Sequence, residues 1–269
     1  MNQMWVSLSA YGGVTTGNAL ATLWAAGVRQ VELAIGPKPS PDSLEVLQHY
    51  HQQGMQYRAH HAFVWDGQRS FNLAHKFDAH YFERLTNWLV AMDIRAYSVH
   101  AGSYARSNSP DAAYACFLKN VAQLGQLCRD RGIQFGVETM YPTPSEEAQQ
   151  YLLQNETQVA QFLEDMPDIA LVVDMAHLNI WRTPTISEKL QILQTAHDRI
   201  LEIHISDNDG YRDTHSTIGD RTWWIPYIPL FPAHTPLVLE SRMNHQSAEQ
   251  VQKQIDTVQS MVAALPAKK

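Results

Sequence analysis

Short apolar runs alternate with longer amphipathic stretches along most of the chain, and this alternation narrows its possible folds more than any other feature. The runs fall at 4–10 (MWVSLSA), 30–35 (QVELAI), 57–63 (YRAHHAF), 96–102 (AYSVHAG), 134–140 (QFGVETM), 169–177 (IALVVDMAH), 200–207 (ILEIHISD) and 236–242 (PLVLESR). Each has the length of a strand, and helix-like sequence follows most of them, as in SPDSLEVLQHYHQQG (40–54) and HKFDAHYFERLTNWLVAMD (75–93). Ser40-Pro41 and Asn108-Ser109-Pro110 read as helix starts, and Gly27, Gly54 and Gly132 as helix ends.

Eight strand-then-helix units imply a parallel sheet. Ala170-Leu171-Val172-Val173 and Leu237-Val238-Leu239 are apolar at consecutive positions, which fits strands buried on both faces. At 269 residues the chain is close to the roughly 250 of a typical (β/α)8 barrel. The expected fold is therefore α/β, a single TIM-barrel domain over 1–269. An open doubly wound sheet would carry a glycine-rich phosphate loop after its first strand, and Gly12-Gly13 is a poor match to one. The seventh crossover, RTWWIPYIPLFPAHTP (221–236), holds four prolines and leaves room only for a short or broken helix.

The net charge of −7 and the absence of any run of Lys or Arg argue against a nucleic-acid partner. No stretch reaches 18 apolar residues, so no membrane span is expected. The segment MNQMWVSLSAYGG lacks the charged start and long apolar centre of a signal peptide. Cys116 and Cys128 lie about 18 Å apart on one expected helix, too far to bridge. They read as buried thiols, which suits a reducing, cytoplasmic setting.

Polar residues recur late in the strands. His60 and His61 lie late in the third, His100 ends the fourth and Glu138 lies late in the fifth. Asp174 ends the sixth with His177 just beyond; His204 lies late in the seventh, followed by Asp213 and His215; Glu240 lies late in the eighth. In a barrel these positions meet on the C-terminal rim, where barrel enzymes place their chemistry. Taken singly, each is explained equally well as a helix cap or a hydrogen-bonded core residue. As a set they crowd several carboxylates together, which raises their pKa values unless a divalent cation joins them. Asp174 and His177 can share a ligand only if the chain turns at Met175-Ala176, whereas Asp213 and His215 point the same way in an extended loop. Glu32, charged within the second strand, either reaches the barrel mouth as a substrate contact or pairs with an arginine. Trp5, Phe63, Trp65, Trp181, Trp223 and Trp224 are candidates to wall a pocket. His49, His51, His75, His80, His197, His234 and His245 read as solvated.

In the segments HHAFVWDGQRSFNLA (60–74), SVHAGS (98–103), GVET (136–139), VVDMAH (172–177), HISDNDGYRDTHSTIG (204–219) and LVLE (237–240) the chain resembles the xylose isomerase-like TIM-barrel superfamily. That superfamily includes ketose epimerases, inosose-type dehydratases and endonuclease IV. After STIG, Asp220-Arg221 stands where the family usually has a second glycine. The resemblance implies two alternatives. In sugar-handling members one divalent metal, Mn2+ or Mg2+, is held at positions matching Glu138, Asp174, His204 and Glu240. In endonuclease IV three zinc ions use further positions matching His60 (with His61 as the fallback), His100, His177, Asp213 and His215. The sugar reading implies a metal-dependent isomerase or epimerase in which Glu138 and Glu240 move a proton beside a carbonyl. His61, His177, Arg212 and Glu32 would then contact a small sugar or polyol, and pairing into a homodimer is expected. The alternative is a multi-zinc phosphodiesterase acting on abasic DNA or another phosphoester. A barrel that binds a ligand without turnover fits less well, because a binder has no use for the Glu138–Glu240 pair.

Overall fold

The eight apolar runs close on themselves. In the computed structural model, which describes residues 2–67, 69–144, 147–182 and 185–264, the strands are β1 (Met4–Ser7), β2 (Gln30–Leu33), β3 (Gln56–His60), β4 (Ala96–His100), β5 (Gln134–Glu138), β6 (Ala170–Asp174), β7 (Ile200–Ile205) and β8 (Leu237–Leu239). They form a closed parallel barrel in the order β1-β8-β7-β6-β5-β4-β3-β2. Met4 pairs with Leu237 and Val6 with Leu239, so the last strand seals against the first. Gln68, within the segment 60–74, and Leu265, at the end of the last expected helix, lie outside the described residues.

Around the barrel lie α1 (Thr16–Ala25), α2 (Ser43–Gln52), α3 (Ala79–Ala91), α4 (Pro110–Arg129), α5 (Glu156–Asp165), α6 (Met175–Ile180), α7 (Ile186–Thr195) and α8 (Ala248–Ala264). Ser109 caps α4 with Pro110 at its first turn, as the sequence predicts. In contrast, α2 starts at Ser43 rather than at Ser40-Pro41, because the Ser40 amide donates to Ser43 Oγ at 2.8 Å and forms a turn ahead of the helix. The proline-rich seventh crossover holds a single 3-10 turn at Ile225–Leu230. No helix among the described residues is long and apolar enough to cross a membrane.

Every strand stops two or three residues before its apolar run does. The cause is local. His61 and Gly102 take left-handed φ values of 48° and 89°, which end the ladders after β3 and β4. Asp174 turns its side chain onto the amides of Ala176 and His177, ending β6 and starting α6. Leu171, Val172 and Val173 are all fully buried, as the consecutive apolar pattern requires.

Three expectations are corrected. Cys128 is buried, but Cys116 is partly exposed and donates its thiol to His75 O at 3.1 Å. His51 is half-buried, with Nδ1 on Met55 O. None of the six expected aromatics lines the mouth pocket. Trp5 faces a cavity of about 840 Å3 at the N-terminal end of the strands, where Arg95 and Arg199 are occupied by Asp93 and by three carbonyls. Trp181, Trp223 and Trp224 donate to the carbonyls of Met140, Met175 and Ser206 and so hold the strand-end loops from behind. Phe63 and Trp65 pack on Trp88 and Tyr81.

Gly36 marks the tightest approach of backbone to backbone near the mouth. A Cβ there would lie 2.2 Å from Leu8 O and 2.9 Å from Ser9 Cα, whereas one on Gly12 would meet nothing within 4 Å. Gly36→Ala should cost roughly 1–3 kcal/mol, and Gly12→Ala should stay within about 0.5 kcal/mol. Urea denaturation midpoints measure both, and equal midpoints would contradict this packing.

Candidate metal centre and pocket

Strand alternation builds the site from the barrel wall inward. A two-residue period puts Arg58 and His60 on one face of β3, and Glu202 and His204 on one face of β7. Neighbouring strands end level: His100 is the ladder partner of Glu138, and Asp174 of His204. As a result Glu138, Asp174, His204 and Glu240 each offer one ligand atom within 4.8 Å of the others. Nδ1 of His204 lies 3.2 Å from Glu138 Oε1 and 3.5 Å from Glu240 Oε2. Asp174 spends Oδ1 on two amides at 2.6 and 3.0 Å.

The donor chemistry fits a divalent cation. Glu138 Oε2, Asp174 Oδ2 and both ring nitrogens of His204 are buried without a hydrogen-bond partner. Buried polar atoms left this way are costly. Three carboxylates and one imidazole make a set that suits Mn2+ or Mg2+ better than a zinc site rich in sulfur or imidazole.

A second group of side chains lines the pocket above. His100 Nε2 lies 3.3 Å and His60 Nε2 3.5 Å from Glu138 Oε2, and the three also converge within 4.8 Å. His60 Nδ1 is held by Ser98 Oγ at 2.9 Å. His61 stacks on His100 with centroids 4.2 Å apart. His177 donates Nδ1–H to Thr139 O at 2.7 Å, which leaves Nε2 3.4 Å from Asp213 and 3.6 Å from Asp174. His215 Nε2 meets Asp213 at 3.0 Å. The pocket holds about 190 Å3.

Two expected substrate contacts stand elsewhere. Glu32 is fully buried below the pocket and pairs with His204 Nε2 at 3.3 Å; it neither reaches the mouth nor pairs with an arginine. Arg212 is exposed on the loop after β7, its amide donating to Asp209 Oδ1, and does not line the pocket. Other residues went unnoticed in the sequence. Ser9 Oγ donates to Glu240 Oε1 at 3.0 Å. Tyr141 and Tyr151 supply the aromatic wall, Tyr141 lying 4.9 Å from the His177 ring. Tyr151 arrives on an antiparallel ribbon, Ser103–Ala105 with Gln149–Tyr151, that joins the loops after β4 and β5. Beneath His204, Arg58 pairs with Glu202 and lies 5.1 Å from the Trp5 ring. A signal for this pair was present: a charge two residues before His60 and another two before His204.

Burial and mutual charge divide these groups. Burial, then the neighbouring imidazoles, hold His60 and His100 well below the usual histidine value, and burial takes His61 to about 4. Burial pushes the same way on His177, but Asp174, Asp213 and Glu138 outweigh it and hold that ring well above its usual value. Glu240 and Glu32 do the same for His204. Burial raises Asp174 to about 6, while His204 and His215 bring Glu240 to about 2 against burial.

The neighbouring carboxylates thus favour the protonated His204 ring, and an ion held by His204 would have to displace a proton from it. Mn2+ affinity should therefore keep rising with pH above the usual histidine range, with net proton release. Calorimetric titrations in buffers of different ionisation heat measure both; pH-independent binding without proton release would contradict the assignment.

Comparison with known proteins agrees with this architecture. The family model described as xylose isomerase-like TIM barrel matches residues 20–261. No curated protein matches the chain closely in sequence. Among solved structures, a D-tagatose 3-epimerase-like protein superposes with a TM-score of 0.73 at 17% identity, covering 97% of each chain. D-psicose 3-epimerase from Clostridium cellulolyticum H10, solved with D-tagatose, gives 0.68 at 12% identity, over 97% of this chain and 99% of that one. D-allulose 3-epimerase from Methylomonas sp., in complex with D-allulose, gives 0.70 at 13%, over 97% of each chain. At these identities the likeness is one of fold.

Proposed function

The chain belongs to the xylose isomerase-like TIM barrel family, and from that premise we propose that it is a divalent-metal-dependent sugar isomerase or epimerase working by proton transfer beside a carbonyl. One observation carries this reading. Of the four converging groups, Glu138 and Glu240 also line the pocket, while Asp174 and His204 are shut behind it. Two ligands are thus free to touch a substrate, and both are carboxylates. The ion would be held by Glu138, Asp174, His204 and Glu240. When bound it supplies Lewis-acid polarisation of a carbonyl and neutralises the crowded carboxylates.

The chain's own groups provide the rest. One of Glu138 and Glu240 takes the proton from the carbon next to the carbonyl, and the other returns one from its own side of the pocket. Ser9 fixes the Glu240 carboxylate by donating to Oε1. Thr139 O holds His177 with Nε2 turned away from the backbone, toward Asp174 and Asp213. His60, His61, His100 and His215 offer hydrogen bonds to hydroxyls, and Tyr141 and Tyr151 cover the apolar face of a sugar ring. Among the described residues the pocket lining contains no Lys or Arg, so no fixed cation awaits a phosphate. The substrate class is therefore a small unphosphorylated ketose or related polyol derivative. A D-tagatose 3-epimerase-like protein and a D-psicose 3-epimerase of the same fold support the sugar assignment.

The endonuclease-like reading draws on the second convergent group, His60, His100 and Glu138, but a cavity of about 190 Å3 suits a small molecule better than a duplex. Metal analysis separates the two: about one tightly bound ion per chain supports the sugar reading, and about three support a phosphoesterase cluster. Free ketoses incubated with the enzyme in D2O should gain label beside the carbonyl. Glu240→Gln should lower that exchange by roughly 10²–10⁴-fold. Full activity in that variant, or cleavage of an abasic oligonucleotide without sugar exchange, would overturn the proposal.

A further inference from the structure

Glu32 has no part in the reaction just described, yet it is fully buried in the centre of the barrel. Neither of its oxygens has a hydrogen bond of good geometry. We infer that Glu32 is a positioning residue for the metal centre: its carboxylate accepts the Nε2 proton of His204, so that the proton given up when an ion binds is the one on Nδ1, the nitrogen facing Glu138 and Glu240. The inference rests on the metal-centred reading above and deepens it.

The His204 ring stands between two sets of carboxylates. On one side Nδ1 is 3.2 Å from Glu138 and 3.5 Å from Glu240. On the other Nε2 is 3.3 Å from Glu32 and 3.5 Å from Glu202. A neutral imidazole has one N–H, and only the bare nitrogen can ligate a metal. Which nitrogen keeps the proton is decided by the acceptor behind the ring. Glu202 is already matched, since Arg58 forms an ion pair with it. Glu32, by contrast, sits one strand pairing from Arg58 (the two are ladder partners) but directs Oε2 at His204. It is therefore the acceptor whose charge the imidazole N–H answers.

The group Glu32, His60, Glu202 and His204 also converges within 4.8 Å and has the make-up of a cation site. Arg58, 4% exposed and paired with Glu202, already supplies a cation there. That leaves the role behind the ring, rather than a second metal, as the use of Glu32. It does not line the pocket, so it acts through His204 and not on substrate.

Two measurements test this. The first is the Mn2+ dissociation constant of the stripped full-length protein, wild type against Glu32→Gln, together with the melting temperature of both metal-free proteins. Loss of the carboxylate should weaken binding about 10–100-fold while the metal-free melting temperature holds or rises, because a buried charge has been removed. Affinity within twofold of wild type overturns the inference, as does a fall in affinity matched by a fall in metal-free stability, which would make Glu32 a packing group. The second needs no variant: the 15N histidine spectrum of the Zn2+-loaded wild type should place the His204 proton on Nε2. A proton on Nδ1 overturns it. Wild-type protein that binds no divalent ion overturns both this inference and the metal-centred reading. Ion binding unaffected by Glu32→Gln overturns this inference alone.

Discussion

The energetic problem at the heart of this molecule is to keep Glu138, Asp174, Asp213 and Glu240 together in a space that water barely enters. Two like charges 4 Å apart repel by about 4 kcal/mol even at an effective dielectric of 20. The barrel answers by interleaving imidazoles with carboxylates. His204 stands between Glu138 and Glu240, and His177 and His215 flank Asp213. The compensation is uneven. Glu240, facing two cationic rings, is driven down to about 2, whereas Asp174 rises to about 6 because burial outweighs His177. The backbone contributes too: the amides of Ala176 and His177 take up one oxygen of Asp174 and leave the other pointing into the cluster.

The same constraint explains why the barrel interior is layered. Arg58 and Glu202 neutralise each other one layer below the cluster, and the indole of Trp5 lies close to the guanidinium. His204 and Glu32 join this pair to the mouth, so a polar column runs through the largely apolar barrel. Such columns are weak sources of stability, since desolvating both partners costs much of what their attraction returns. Their value here is orientation, because each charged group fixes the rotamer of the one above it.

How far the sequence foretold this depended on which rule governed each residue. Strand period and strand order set the positions of His60, His100, Glu138, Asp174, His204 and Glu240, and all six come to one end of the barrel. The turn between Asp174 and His177 was likewise readable, because the pair could meet only if the strand ended there. Position alone did not say which way a mid-strand charge would pair, so Glu32 was expected at the mouth or on an arginine and is found beneath His204. Arg58 and Glu202 stand two residues before His60 and His204 and so share their strand faces, but nothing local to either run says that the two charges meet. Tyr141, Tyr151 and Ser9 reach the pocket on a loop, a short ribbon strand and a 3-10 turn beyond the barrel strands, whose paths are set by tertiary contacts, and local pattern carries no information about those. The tryptophans were misassigned for the opposite reason: an aromatic near a strand end looks like a pocket wall, yet here their N–H groups tie loops to the core.

The ribbon pairing Ser103–Ala105 with Gln149–Tyr151 has a consequence for how this scaffold diversifies. It splices two loops that in a simple barrel would wander independently, and it carries Tyr151 over the cavity from one of them. Remodelling either loop alone would unzip the splice and drop the tyrosine from its station. Reshaping the pocket would then call for paired edits on both sides of the seam, with the cluster of Glu138, Asp174, His204 and Glu240 beneath left untouched.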